Sequence, residues 1–246
     1  MSSVKQHYEA LLGSVYSWYV SAAGDPWERA AAFLARHGLD RAEHTLDLGA
    51  GFGAHAVALA RSGKRVTAVD FDRTLLAELR ESAREHAERV EVVEEELLAF
   101  VRGAARDSFG AVLCLGDTLT HLESARDAEA LIRESARCLT RGGQLALSYR
   151  DSSGFSAEGV ARFREVARDA TRTLHCLLEP VSAERLRVTD IVTEVTPEGP
   201  RTRLGDYFKL RLAPERVVAW AQAAGLREVR RAEEAGMLTL VFEKPS

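Results

Sequence analysis

Short apolar runs and amphipathic stretches alternate between residues 45 and 150. Apolar and β-branched residues run together in segments that predict strands at 45–48, 65–70, 90–93, 109–115 and 144–149. Between these segments, apolar residues recur at helical spacing over 54–62, 74–89 and 127–139. Such an alternation predicts a doubly wound, mostly parallel sheet, whose ligands bind beyond the carboxyl ends of the strands.

The pattern changes before and after this segment. Residues 4–20 are predicted to form one helix that carries aromatic side chains, either as core packing or as a flap over a pocket. After residue 151, alternating apolar and polar positions predict antiparallel strands at 172–178, 185–195 and 203–212. A final helix and two strands, within 214–242, bring the main sheet to seven strands.

These elements predict an α/β protein with a doubly wound, seven-stranded, mostly parallel sheet and an inserted antiparallel β cap. The expected organisation is a helical flap over 1–40, a cofactor-binding domain over 41–151 plus 212–246, and a substrate cap over 152–211.

Composition narrows the class of partner. The 246-residue chain has a net charge of −4, which argues against a nucleic-acid partner because such affinity needs clustered Lys and Arg. Its three cysteines lack metal-ligand spacing, so no metal site is predicted. The amino terminus is polar and no apolar run is long enough to cross a membrane, so we expect a cytoplasmic protein without a membrane partner.

A glycine-rich turn follows the first predicted strand. Gly49, Gly51 and Gly53 allow the backbone to turn sharply and to begin a helix whose amino end faces the edge of the sheet. An ordinary strand–helix turn would look similar. With Asp70 about 20 residues further on, the turn also fits a nicotinamide dinucleotide site. Asp47, just before the turn, favours a ligand with a cationic group over a pyrophosphate.

Further segments resemble those of the class I S-adenosylmethionine-dependent methyltransferases. The resemblance covers about residues 40–150 and, in topology, 212–243. It rests on motifs in the family's order, namely 47–53, 66–72, 90–98, 109–117 and 139–145. It implies a Rossmann-like methyltransferase fold with S-adenosylmethionine as the cofactor. An NAD(P)-dependent oxidoreductase and a non-catalytic S-adenosylmethionine-binding module remain as alternatives.

The resemblance implies roles for individual residues. Asp70 would accept hydrogen bonds from the ribose hydroxyls, and Phe71 would flank the adenine. Glu96 would accept from the adenine amino group, although Glu95 lies next to it. The remaining cofactor contacts would come from Trp18, Asp47, Gly49, Ala50, Gly51, Leu97 and Leu115.

The acceptor is predicted to be a small molecule, methylated on nitrogen or oxygen. The cap and the run 116–122 resemble glycine N-methyltransferases, but Asp117 stands where those enzymes have Asn. A hydroxyl acceptor would need a base, for which His121 and His175 are candidates, with Tyr149 as a further catalytic candidate. The other candidates for acceptor binding are Tyr16, Tyr19, Asp117, Arg150, Tyr207, Lys209 and Arg211. Basic cap side chains that face the pocket would predict an anionic acceptor.

Overall fold

The computed structural model describes residues 3–155 and 161–246. Its strands, in chain order, are β1 His44–Leu48, β2 Arg65–Asp70, β3 Val90–Glu94, β4 Phe109–Cys114, β5 Leu139–Tyr149, β6 Arg162–Arg168, β7 Arg172–Pro180, β8 Arg185–Thr196, β9 Gly199–Leu210, β10 Arg227–Glu234 and β11 Met237–Glu243. Its helices are α1 Val4–His7, α2 Tyr16–Ser21, α3 Pro26–His37, α4 Ala54–Arg61, α5 Arg73–Ser82, α6 Leu97–Gly103, α7 Ala125–Cys138 and α8 Pro214–Ala223.

Within these ranges the chain forms two sheets. The seven-stranded sheet has the order β10-β11-β5-β4-β1-β2-β3, and β1 to β5 pair in parallel. Strand β11 pairs antiparallel with both β5 and β10. The predicted seven-stranded, mostly parallel sheet is therefore confirmed. Because the strand order reverses between β1 and β4, the connections that leave their carboxyl ends run to opposite faces of the sheet and leave a crevice for a ligand.

The inserted segment forms an antiparallel sheet of four strands in the order β6-β7-β8-β9. The sequence analysis predicted three strands in this segment, because the polar residues of β6 show no alternation of apolar and polar positions. That strand is mostly exposed and pairs along one edge of the sheet with β7. Backbone pairing, which a polar sequence does not reveal, decides its structure.

The amino-terminal segment is not the continuous helix that was predicted. After α1 the chain makes a π-helical turn, Tyr8–Leu12, and α2 begins only at Tyr16. The break occurs where Gly13 packs against helix α5, since a Cβ on Gly13 would lie 2.7 Å from Oδ2 of Asp72. The segment is therefore not one straight helix, and it packs against β9 and β6 of the antiparallel sheet.

The apolar core lies on both faces of the seven-stranded sheet. One face packs against α6, α7 and α8, and the other against α3, α4 and α5. Helix α7 illustrates why its sequence forms a helix there. Ser124 caps it by accepting the N–H of Asp127, and its apolar stripe, including Leu131 and Ile132, is buried. No helix in the described part of the chain is long and apolar enough to span a membrane.

Candidate active site

The glycine turn after β1 is shaped by contacts that exclude any side chain. Gly49 has φ +75°, and a Cβ there would lie 2.5 Å from Cγ2 of Thr118. Gly53 has φ +89°, and a Cβ there would lie 2.6 Å from Leu79. The turn is therefore held between α5 and the short 3₁₀ turn Thr118–His121 that follows β4. These contacts bring the ends of β1 and β4 to one site.

A cavity of about 490 Å³ opens beside this turn at the carboxyl edge of the sheet. Its walls come from the sheet edge, from α1 with the π-helical turn, and from β9 of the cap. Its lining includes the predicted residues Tyr16, Gly49, Gly51, Asp70, Phe71, Glu96, Leu97, His121 and Lys209. The volume suits a nucleoside-bearing cofactor with a small acceptor.

One end of the cavity is acidic. Asp70 is buried, and its carboxylate accepts the N–H groups of Gly51 at 2.8 Å and Asp72 at 3.0 Å. Glu96 lines the same end, whereas the adjacent Glu95 does not. Lys5 of α1 closes over this end, since its Nζ lies 3.5 Å from Oε1 of Glu96 and 6.0 Å from the centre of the Phe71 ring. The sequence analysis did not identify Lys5, because a lone lysine near the amino terminus carries no pattern.

Asp47 lies beneath the glycine turn and is only 2% exposed. Its Oδ2 is buried without a hydrogen-bond partner among the described residues. Burial, with a smaller contribution from Asp70, raises the pKa of Asp47 to about 7. A buried carboxyl in this condition lacks a cation or a hydrogen-bond donor, which a bound ligand could supply.

We expect the affinity for S-adenosylhomocysteine, whose amino group is cationic, to rise about tenfold from pH 6 to pH 8 as Asp47 ionises. The direction follows from the raised pKa, since the empty site holds a proton below pH 7 that a cationic ligand displaces. The same shift lowers stability as the pH rises from about 4 through 7 in the absence of ligand. Calorimetry at several pH values measures the affinity. Asp47→Asn is the control, and an unchanged pH dependence in that variant would contradict the assignment.

His121 also lines the cavity, and a cluster of charges lies near it. Asp117 accepts the N–H of Arg150 at 2.8 Å, Nη1 of Arg150 at 2.6 Å and Nζ of Lys209 at 3.1 Å. Burial would raise the pKa of Asp117, but Lys209 and Arg150 outweigh burial and hold it well below its usual range. Oδ2 of Asp117 therefore accepts from both cationic side chains, while Oδ1 accepts the backbone N–H of Arg150. Of these two cations, Lys209 lines the cavity.

His121 itself is a neutral imidazole. Burial, followed by the nearby Lys209, lowers the pKa of His121 to about 3. Its Nε2 is buried and has no hydrogen-bond partner within the described ranges. The ring contacts Tyr8 edge-on at 5.9 Å and Tyr207 at 5.6 Å between ring centres. His121 can therefore exchange a hydrogen bond with a ligand, but it is a poor base.

Aromatic side chains of the amino-terminal segment cover the sheet edge. Tyr8 meets Phe71 edge-on at 5.9 Å. Tyr16 lies over the glycine turn, where its Cε1 is 3.7 Å from the position that a Cβ would take on Gly51. Tyr19 packs edge-on against Tyr16 at 5.0 Å. Burial raises the pKa of each of these three tyrosines, so their hydroxyls stay protonated and can donate.

A buried contact joins this segment to the cap. Nε2 of His7 lies 2.9 Å from Oδ2 of Asp190, and both side chains are almost fully buried. Gly205 makes room for the imidazole, because a Cβ there would lie 2.8 Å from Nδ1 of His7. The His7 ring also packs on Tyr207, with 4.6 Å between ring centres. These contacts fix Tyr8, the next residue, at the cavity wall.

Some predicted site residues lie away from the cavity. Tyr149 is fully buried in the core between β5 and α8, and it does not line the cavity. His175 stacks on Phe163 at 4.9 Å and lies 3.7 Å from Glu165 in the cap. The structure therefore gives neither residue a place at the reacting atoms.

Arg211 and Trp18 are likewise outside the cavity lining. The buried guanidinium of Arg211 donates to the carbonyls of Ser152, Ser153, Phe155 and Ser182, so it holds backbone segments together. Trp18 packs under the guanidinium of Arg172, 4.5 Å from its ring centre. Nothing in the periodicity of the sequence distinguishes such structural contacts from ligand contacts.

The remaining predicted residues form a layer around the cavity. Ala50 and Leu115 are buried beside the glycine turn, and the Leu115 carbonyl accepts the Thr118 hydroxyl at 2.7 Å. Tyr207 lies behind His121, as described above. In the ranges that the structure describes, no group of three or more His, Cys, Asp or Glu side chains is arranged to hold a metal ion.

Comparison with known proteins places the sequence and the fold beside those of methyltransferases. Residues 45–143 match the family model of a methyltransferase domain. A glycine/sarcosine N-methyltransferase of Parasynechococcus marenigrum is 27% identical over 147 residues, which are 54% of this chain and 51% of that protein. The chain thus spans about half the length of the curated relatives it matches.

Two solved structures share nearly the whole fold. The CcbJ methyltransferase from Streptomyces caelestis superposes with a TM-score of 0.80 and 23% identity, over 97% of this chain and 98% of that one. CalS10, an amino pentose methyltransferase from Micromonospora echinaspora, gives a TM-score of 0.77 and 21% identity, over 94% and 96% of the two chains.

Fold and site together define an α/β protein with a nucleoside cofactor site at the edge of its parallel sheet. Residues 45–143 match a methyltransferase domain, and the whole chain shares the fold of solved methyltransferases, among them CalS10 with S-adenosylmethionine bound. The residues present fit that cofactor. The buried, unpartnered oxygen of Asp47 lacks a donor or cation, and the site-facing carboxylate of Asp70 suits a pair of hydroxyls.

Proposed function

We propose that this protein transfers a methyl group from S-adenosylmethionine to the amine nitrogen of a small molecule. The cofactor supplies an electrophilic methyl group on a sulfonium. The protein's contribution to such a direct displacement is to position the two reactants and to exclude water. A cavity roofed by α1 and the cap sheet, with aromatic side chains over the glycine turn, supports both roles.

The proposed cofactor placement follows the acidic end of the cavity. Asp70 would hold the ribose hydroxyls, while Phe71 and the Leu97 backbone would meet the adenine. Asp47, Gly49 and the Leu115 carbonyl would face the methionine end. Lys5, which spans Glu96 and Phe71, would then close the cofactor from solvent.

The neighbouring glutamates offer a matched test of the adenine contact. We expect Glu96→Gln to weaken S-adenosylhomocysteine binding roughly tenfold, since a charge-assisted hydrogen bond contributes about 1.5 kcal/mol or more. Glu95→Gln removes the same charge from an exposed side chain outside the cavity and should change affinity less than about twofold. Calorimetric titration of both variants decides the choice. Equal losses of affinity in the two variants would show that the negative charge of the segment, and not a specific hydrogen bond to Glu96, supports cofactor binding.

The argument for an amine rests on His121. A base with a pKa near 3 cannot take the proton of a hydroxyl, whose own pKa is far higher. A neutral imidazole can accept a hydrogen bond from an amine N–H and so orient the nitrogen lone pair. An uncharged amine needs no deprotonation before it attacks. The charges near His121 also favour an uncharged amine, because Lys209 and Arg150 outnumber Asp117.

The same charges suggest what else the acceptor carries. Lys209 lines the cavity, and Arg185 lies at its rim, where it donates to the Glu123 carbonyl at 3.0 Å and covers the Phe208 ring. We therefore propose an acceptor with an anionic group some distance from its amine. The names of an amino pentose methyltransferase and a glycine/sarcosine N-methyltransferase support an amine acceptor, whereas that of a ubiquinone biosynthesis O-methyltransferase, 38% identical over 106 residues, favours a hydroxyl.

Turnover on matched acceptors tests the proposal. The purified protein is incubated with S-adenosylmethionine and pairs of compounds that differ only in carrying an amine or a hydroxyl, including amino sugars and their phosphate esters, glycine and sarcosine. We expect mass spectrometry to detect N-methylated product together with S-adenosylhomocysteine. Faster methylation of the hydroxyl partner would contradict the amine assignment. Cofactor binding without turnover on any pair would support a non-catalytic binding module instead.

A further inference from the structure

A second cavity of about 490 Å³ lies at the opposite edge of the seven-stranded sheet, where β4 and β5 begin. The end of α3, the segment before β1, the start of β5 and the β10–β11 hairpin form its walls. It shares no lining residue with the cofactor cavity. Nothing in the proposed methyl transfer uses this cavity.

Three arginines from distant parts of the chain line this second cavity: Arg41, Arg141 and Arg230. None of the three guanidinium groups has a hydrogen bond or an ion pair to another residue in the described ranges, in contrast to arginines such as Arg137 and Arg231, which pair with neighbouring glutamates. The carboxylate in the lining, Glu243, is paired with Arg227 at 3.0 Å. The cavity is thus locally cationic in a chain whose net charge is −4.

A buried histidine adds a polar group to the same cavity. His37 is only 4% exposed, lines the cavity, and packs its ring on Phe33 at 4.5 Å. Its Nδ1 has no hydrogen-bond partner among the residues that the structure describes. Burial and then Arg230 lower the pKa of His37, so the ring is neutral and offers one N–H to an anion.

The backbone around Arg141 is constrained to shape this wall. A Cβ on Gly143 would lie 2.9 Å from the Thr140 carbonyl oxygen and 3.1 Å from that of Gly110. Gly142 has φ +74°, which favours glycine. The two glycines therefore hold the start of β5 tightly against β4 and carry Arg141 to the cavity.

We propose that this cavity binds the phosphate groups of a phosphorylated small molecule. The planar fork of arginine matches phosphate oxygens in a bidentate way, which favours phosphate as the recognised group. The volume exceeds that of an inorganic ion and lies in the range of small-molecule sites. The buried imidazole supplies a directional donor next to the three charges.

Binding to the full chain at low ionic strength tests this site. The probes are inorganic pyrophosphate and fructose 1,6-bisphosphate, followed by calorimetry and by the NMR signals of the His37 ring. We expect both probes to bind and to shift the His37 signals, with the pKa of His37 rising in the complex. Tighter binding of the sugar bisphosphate identifies an organic phosphate as the ligand, and equal binding identifies the phosphate groups alone.

Charge-matched variants separate a built site from general attraction. The triple variant R41Q/R141Q/R230Q should weaken binding at least about tenfold. The control R106Q/R126Q/R201Q removes the same charge from exposed positions outside the cavity and should change binding less than about twofold. Thermal unfolding verifies that both variants fold. Equal losses in the two variants, equal binding of citrate, or loss of binding when S-adenosylhomocysteine is present would each overturn the proposal.

Discussion

Replacing Asp70 by Asn is expected to lower the affinity for S-adenosylhomocysteine about 100-fold or more. The carboxylate would otherwise accept two hydroxyl hydrogen bonds, each worth about 1.5 kcal/mol or more when the acceptor is charged. Asn offers one acceptor oxygen and a donor that opposes the second hydroxyl. Calorimetric titration of the variant measures the loss.

A stability measurement distinguishes this effect from unfolding. Burial raises the pKa of Asp70, so the ionised carboxylate destabilises the folded protein. An uncharged Asn at this position relieves that cost. Asn also loses one of the two backbone N–H bonds that Asp70 accepts, which offsets this relief, so we expect the unliganded variant to unfold at a temperature close to that of the parent. A variant that binds normally would show that Asp70 serves only the glycine turn, through the N–H of Gly51. A large drop in unfolding temperature would point to the same structural role.

Replacing His121 by Leu is expected to lower kcat for methyl transfer about 100-fold, because misplacing a reacting group by a small distance has an effect of this size. Leu fills a similar volume against Tyr8 and Tyr207 but cannot accept the amine N–H. His121→Gln keeps a hydrogen-bond acceptor and should recover part of the rate. Steady-state kinetics with saturating acceptor measures both variants.

The position of His121 allows its role to be separated from cofactor binding. Its ring contacts Tyr8 and Tyr207 and makes no hydrogen bond to Asp70 or Glu96 in the described residues, so S-adenosylhomocysteine affinity should stay within about twofold of the parent. If kcat changed with pH as a histidine titrates near pH 6.5, the low pKa of His121 would be contradicted. His121 would then be a candidate general base again. An unchanged kcat in the Leu variant would show that His121 does not take part in the reaction.

Strand ends were the most predictable part of the site. Gly49, Asp70 and His121 lie close to strand termini that the apolar runs already mark, and the topology of a parallel sheet brings such termini to one edge. Lys5 was missed, and so was the His7–Asp190 contact, since 183 residues separate its partners. Contacts between remote segments depend on packing and leave no local pattern.

Only the folded structure distinguishes the roles of residues whose side chains have the same chemistry. Lys209 near the end of β9 and Arg211 just after it are both basic, yet Arg211 binds backbone carbonyls while Lys209 reaches Asp117 and the cavity. In a continuing strand two residues spaced by two share a face, but β9 ends at Leu210, so Arg211 leaves the sheet and faces different surroundings. Tyr149 resembled a site residue because it ends β5, but its side chain turns into the core under α8.

By itself, the sequence determined the seven-stranded sheet, the glycine turn and the edge at which a ligand binds. Those features follow from local periodicity and from the conformational freedom of glycine, both of which are written in neighbouring residues. Tertiary structure alone decided which basic and aromatic side chains face the cavity, and it lowered the pKa of His121 while raising that of Asp47. Burial and distant charges set those values, and both arise only when remote segments pack together.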